Sequence, residues 1–343
     1  MAIEQLPPAP DPQPGSPMSL GHHEPLLVEA AVGHHGMFTT DIARHLGLDK
    51  FALAALTAGG HLIHPCRGLY AVAELVDQGT DTTWHKHLTY GGRMLYPDAT
   101  LVGATSLVAH DITVWNTDLT RPAFFRPRDR SAAASAFWVR PRVCPNTIDT
   151  PWGPTQTIAD SLIQHCLDNG MTQGVVSVDA ALRSQLTTVD ELVAAAERVE
   201  KWPRSHRVRS MLTHVDGRHE SPGESLTAVF AGASGIELVP QVTIFDEKGR
   251  FIGRVDFVVK GTRVVVEFDG KRKYFKVDGD DDTGPWGKPV DERVLEEKQR
   301  EDRLRAQGYV VVRLIWRDFY SPGVVAAKIR AGLALEQRIY SAR

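Results

Sequence analysis

Cysteine is scarce in this chain: Cys66, Cys144 and Cys166 are odd in number, far apart and without paired spacing, which excludes a disulfide framework and a thiolate zinc site. Buried, reduced thiols are expected. No apolar run reaches the roughly 18 residues that a membrane span needs, and no charged start leads into an apolar core as in a signal peptide. The expectation is a cytoplasmic protein with no membrane contact. Charge of one sign is lacking as well, since 39 Lys and Arg against 42 Asp and Glu leave a net −3 in 343 residues. That balance conceals a division. Up to Pro203 there are 14 basic and 21 acidic residues, and from Arg204 onward 25 and 21, so the polyanion-facing surface is expected in the C-terminal part.

The length suits two or three domains of a multidomain α+β protein. Proline recurs from Leu6 to Pro17 with almost no apolar anchors, so residues 1–25 read as a disordered tail. A first domain is expected over 26–140. It begins with a short helix to Val32, a helix from Thr40 to Leu46 stopped by Gly47, and a second helix capped by Asp49 and ended by Gly59 and Gly60. A small hairpin follows, Leu62 to His64 and Leu69 to Val72, which completes a winged helix-turn-helix order. Such a fold lays its second helix in the major groove, yet here that helix offers only Lys50, with Arg44 and Arg67 nearby. Arg121, Arg126, Arg128 and Arg130, with Phe124 and Phe125 among them, supply further phosphate contacts or form a solvated loop. A winged helix used for protein contacts fits the same pattern.

Residues 141–216 read as a helical connector or dimerising bundle, leaving a homodimer open: Ile158 to Leu167, Val178 to Arg183, and Thr188 to Val199 behind a Thr188/Glu191 capping box. The third domain, 217–343, holds the chemistry. Two apolar runs, Arg254 to Val259 and Arg263 to Asp269, flank Gly261-Thr262, which suits a two-residue turn. With Lys260 facing Arg263, Asp256 lies opposite Glu267 and Arg254 opposite Asp269 on one face, with Val255, Phe257, Val264, Val266 and Phe268 on the other. Opposed carboxylates about 5 Å apart repel unless a proton or cation lies between them, and a hard divalent cation resolves this. An exposed face on which Arg254 and Lys271 neutralise the acids meets the same spacing.

A helix opened by Ser221-Pro222-Gly223-Glu224 precedes this hairpin, with Gln241 to Phe245 as a further strand; a helix from about Asp291 to Gln307 and a strand from Tyr309 to Trp316 follow. Helices flanking a mixed sheet are expected. Glu224 reads either as a site ligand or as the acid of a capping box, while Arg300 and Arg303 contact phosphates or pair with Glu296, Glu297 and Glu301.

On MFTTDIARHLGL and RGLYAV, the first two-thirds of the chain resembles the AbiEi-type antitoxin proteins of bacteria. The resemblance implies a DNA-binding transcriptional repressor with a cognate toxin as partner. On SPGES, GRVDFVV, VVVEFDGKRKY and EEKQREDRLRAQGYVVVRLIW, residues 221–319 resemble the Vsr-like domains of the PD-(D/E)XK endonuclease superfamily, with a restriction-endonuclease-like α/β fold. That likeness implies metal-dependent phosphodiester hydrolysis, with Glu224, Asp256 and Glu267 as ligands for Mg²⁺ or Mn²⁺. The superfamily's lysine is displaced: Asp269 stands two residues after Glu267, and Lys273 or Lys271 fills the role of orienting the water. Without that activity, a nuclease fold serving only as a DNA-binding platform is the alternative.

Overall fold

The computed structural model describes residues 24–127, 132–134, 136–270, 290–321 and 323–341. The Pro-rich tail expected before 26 falls almost wholly outside them, as do Lys271, Lys273, Arg128 and Arg130.

The chain begins with α1 (Glu24–Val32), β1 (Met37–Thr39), α2 (Thr40–His45), α3 (Lys50–Ala58), β2 (Leu62–Cys66), β3 (Leu69–Val72) and α4 (Asp81–Leu95). The strands form an antiparallel sheet in the order β1-β3-β2. Local signals set the helix starts: the Asp49 carboxylate accepts from the N–H groups of Phe51 and Ala52, satisfying donors that the first turn leaves free. Phe38, Leu53, Leu56 and Leu62 close one core. Gly91 lets α4 lie against β1, where a Cβ would stand 2.6 Å from the Met37 methyl.

Next come β4 (Thr100–Leu101), α5 (Gly103–Ala109), β5 (Ala123–Arg126), β6 (Ala132–Ala134), β7 (Phe137–Pro141), β8 (Thr147–Thr150) and β9 (Gly153–Gln156). Within the Arg-Phe stretch, Ala123–Arg126 is thus a strand. Phe124, Phe125 and Arg126 of β5 are all buried.

Four helices follow, α6 (Ile158–Asn169), α7 (Met171–Arg183), α8 (Val189–Arg198) and α9 (Ser205–Leu212). The Thr188/Glu191 capping box forms in full. Helix α7 starts seven residues before the expected Val178, because Gly174 serves close packing and no break. A Cβ there would meet Met211 Sδ at 2.6 Å and Cys166 Cβ at 2.8 Å. All three cysteines are free, Cys66 and Cys166 buried and Cys144 only half-buried, contrary to expectation.

The rest of the chain is α10 (Pro222–Gly232), β10 (Leu238–Phe245), β11 (Phe251–Val259), β12 (Val264–Phe268), α11 (Val290–Ala306), β13 (Val310–Leu314) and α12 (Val324–Ser341). The sheet runs β10-β11-β12-β13 and is mixed, since β12 pairs with β11 antiparallel and with β13 parallel. On one face Phe257, Val264, Val266 and Val312 pack with Leu226 of α10 and Ile329 of α12. On the other, Val265 packs with Leu304 of α11, and Val255 belongs to this second cluster instead of joining Phe257. The acid-bearing face is therefore roofed by α11.

Two compact units emerge, residues 1–99, 120–122 and 132–139 in the first and 100–119, 123–131 and 140–343 in the second. The first unit does not follow the expected 26–140 limits, and 141–216 belongs with 217–343. A buried hub ties those two segments together: Asp179 of α7 accepts from His219 Nδ1, from the Ser225 hydroxyl of α10 and from the Asp216 N–H, each at 2.7 Å. Among the described residues no helix is long and apolar enough to cross a membrane.

Candidate metal and nucleic-acid site

The hairpin register is Phe257↔Val266 and Val258↔Val265, which carried one residue further sets Asp256 opposite Glu267. The connection is longer than the expected two residues. Thr262 donates its N–H to Val259 O, and Gly261 takes the left-handed conformation, φ 75°, that this turn requires. The pairing is preserved because residues were added evenly on both sides.

Asp256 and Glu267 open into a cavity of about 240 Å³ that Phe268, Asp269, Gly270, Arg300 and Arg313 also line. Asp256 Oδ2 accepts the Phe268 N–H at 2.8 Å, and Arg300 Nη1 lies 2.8 Å from Glu267 Oε1. Arg300 arrives from α11, where the Gly253 backbone makes room for its stem and Arg254 O accepts from its guanidinium at 3.1 Å. Arg313 is held on Glu301 at 2.8 Å, and Arg305 takes the same carboxylate. Arg300 thus pairs across the fold, with Glu267 of β12.

Glu224 is buried at the start of α10, and its oxygens accept from the Ser221 hydroxyl at 2.9 Å, the Glu220 N–H at 2.9 Å and Gln241 Nε2 at 2.7 Å. Ser221 caps the helix by accepting the Glu224 N–H, while the Glu224 carboxylate takes the Glu220 N–H in place of the Ser221 N–H of a full capping box. Gly223 allows this helix end to press on β12, since a Cβ would sit 2.1 Å from the Phe268 ring. Gln241 holds a left-handed φ of 55° inside β10, between the pairs Pro240↔Phe257 and Val242↔Val255. Such strain costs on the order of 1 kcal/mol or more and marks places where the surroundings dictate the backbone.

Burial pushes the Asp256 carboxyl up to about 6, and the charges of Glu224 and Glu267 push the same way. The Phe268 N–H and Arg300 oppose them without cancelling. Among the described residues no three His, Cys, Asp or Glu side chains stand close enough to hold a metal ion. The expected Glu224, Asp256 and Glu267 set is not assembled as a triad. Two hard carboxylates in an open cavity nevertheless suit Mg²⁺, which takes one or two carboxylates and completes its shell with water and phosphate. Asp256 and Glu267 are the oxygen donors that the cavity offers, and Asp269 is also in its lining.

The expected DNA contacts scatter. Arg126 is 4% exposed in β5 and cannot reach a phosphate. Arg44 is exposed and paired with Asp41 at 2.7 Å, Arg67 is exposed at the β2–β3 turn, and Lys50 lies over the Phe51 ring at 4.9 Å. Arg303 is exposed and donates to Gln299 O within its own helix. The sequence does not single out Arg313 or Gln241 as site residues; contacts between distant segments do. Parity along β13 was the one available sign, because Arg313 stands beside Glu267 in the parallel register.

No protein-family model matches the chain, and neither does any curated protein. Among solved structures, it is similar to the Rv2827c protein from Mycobacterium tuberculosis, with a TM-score of 0.37, 15% identity, and 64% of this chain and 87% of that chain covered. At that score the likeness carries neither fold nor function across.

Proposed function

We propose that this chain is a DNA-acting protein whose second unit carries a metal-dependent, endonuclease-like site in the manner of Vsr-like PD-(D/E)XK domains. Its first unit is read as a winged helix-turn-helix of AbiEi antitoxin type. The opposed Asp256 and Glu267 in one open cavity carry this reading. Mg²⁺ or Mn²⁺, when bound, supplies Lewis acidity toward a phosphoryl oxygen and acidifies a water. Asp256 and Glu267 would hold the ion, and binding would lower the carboxyl that burial has raised. Arg300 and Arg313 offer guanidinium groups to a phosphodiester. Lys271 or Lys273 is assigned the water-orienting role.

Incubation of the full chain with plasmid DNA in Mg²⁺ or Mn²⁺, beside Asp256→Ala and Glu267→Gln, tests the site. Cleavage by the wild type and its loss by at least a hundredfold in both variants is expected. Equal cleavage by wild type and Asp256→Ala sinks the assignment. In the absence of DNA, Mg²⁺ should raise the melting temperature of the wild type and leave Asp256→Asn unmoved.

The Arg300–Glu267 ion pair favours a second reading, a non-catalytic DNA-binding platform in which the arginine replaces the metal. A third reading, a protein-contact module with a cognate toxin among its partners, rests on α3. Its outward face is Phe51, 71% exposed, with Ala54, Ala55 and Ala58. Binding of promoter DNA by the whole chain should weaken steeply as salt rises if the winged helix meets phosphates. No binding at low salt would favour the protein-contact reading.

A further inference from the structure

Between Lys201 and Val215 the chain contains no Asp or Glu, while Lys201, Arg204, Arg207 and Arg209 fall within nine residues. Arg207 is turned inward, donating to Leu167 O at 3.2 Å. Lys201, Arg204 and Arg209 are exposed. Helix α9, which carries Arg209, begins without a side-chain cap and without an acid in its first turn, so its free N–H groups add to the positive field.

Trp202, inside this basic run, lines a cavity of about 150 Å³ together with Arg142, Phe125, Asn146 and Gln164. The Arg142 guanidinium lies 3.7 Å from the Trp202 ring centroid and 5.3 Å from that of Phe125, a stacked position that holds its N–H fork in one orientation. Gln164 is 5% exposed; its Nε2 donates to Asp168 Oδ2 at 3.0 Å, and its Oε1 has no hydrogen-bond partner. A buried amide oxygen without a donor is unfavourable, and a ligand N–H would satisfy it. The features thus call for a ligand that is anionic along its length and carries N–H groups on a flat ring. Single-stranded nucleic acid meets both conditions, and cations interleaved with aromatic rings are the usual means of holding it.

Resting on the reading that this chain acts on DNA, we propose that the Trp202 cavity and the Lys201–Arg209 run form a single-strand site in the second unit. Lys201, Arg204 and Arg209 take backbone phosphates, Arg142 takes a phosphate at the cavity, and Gln164 accepts from a base.

Fluorescence anisotropy with a labelled single strand of about 15 nucleotides, and with its duplex, measured in EDTA over a range of salt, tests this. The Lys201→Gln/Arg204→Gly/Arg209→Gln variant should lose at least tenfold in single-strand affinity and flatten the salt slope by about 2, at roughly 0.7 per phosphate contact. Gln164→Leu should weaken binding severalfold with the salt slope unchanged. Glycine accepts the Arg204 conformation, φ 68°, so Arg204→Gly alone keeps the test open if the triple variant fails to fold. Wild-type affinity in these variants, or displacement of the oligonucleotide by polyglutamate at equal charge, overturns the proposal. Asp256→Ala should bind as the wild type does, so lost cleavage with intact binding separates the two sites.

Discussion

Asp179 and Asp256 are two acids withdrawn from water in the same unit, and the fold treats them oppositely. Asp179, 1% exposed, receives hydrogen bonds from His219, Ser225 and the Asp216 backbone. Asp256 receives one from the Phe268 backbone and confronts the charges of Glu224 and Glu267. Removing a carboxylate from water costs several kcal/mol unless donors or cations replace the water. At Asp179 they do, and the acid joins α7 to α10. At Asp256 the replacement is incomplete, so the carboxyl is pushed up to about 6. An acid left short of partners beside an open cavity is the better candidate for chemistry, because a bound ion can supply what the fold withholds.

The largest test of this contrast is Asp179→Ala, which strands the His219, Ser225 and Asp216 donors and should cost about 3–5 kcal/mol in urea unfolding. A loss under about 1 kcal/mol would make the hub ornamental. Asp256 should behave in reverse. Its folded pKa is raised, so its stabilising contribution is complete below about pH 4 and disappears as pH climbs through 6. Without divalent metal, Asp256→Asn should match the wild type at pH 4 and exceed it by about 2–3 kcal/mol at pH 8. A parallel pH dependence for both proteins would remove the contrast. Smaller still is Gly223→Ala, whose Cβ would stand 2.1 Å from the Phe268 ring. It should cost about 1–3 kcal/mol by overpacking. By moving Glu224 away it should also lower the Asp256 titration, readable in the carboxyl NMR shift.

What could be read from sequence was local. The caps at Asp49, Thr188 and Ser221 are set within three residues, and the pairing of Asp256 with Glu267 follows from counting outward from Gly261-Thr262. What escaped depends on approach between distant segments. Gly174 looks like a helix breaker until Met211 and Cys166 are placed against it, and Arg126 looks like a phosphate ligand until β5 is buried. In the sequence Glu296 and Glu297 stand four and three residues before Arg300, so nothing local points to Glu267. Helix α12 has only the helical spacing of Val325, Ala326, Ile329 and Gly332 to announce it. Glu224 shows the limit of a motif, since its capping duty was as legible as its candidacy for metal.

The two units exchange segments at residues 99/100, 119/120, 122/123, 131/132 and 139/140. During synthesis the first unit therefore lacks part of itself until residue 139 has left the ribosome, by which point β4, α5 and β5 of the second have already been made. No single cut passes either unit to another gene without part of the other. Recombination that conserves either fold must move the stretch 100–139 as a shared inheritance, which ties the histories of the two units more tightly than a linker would.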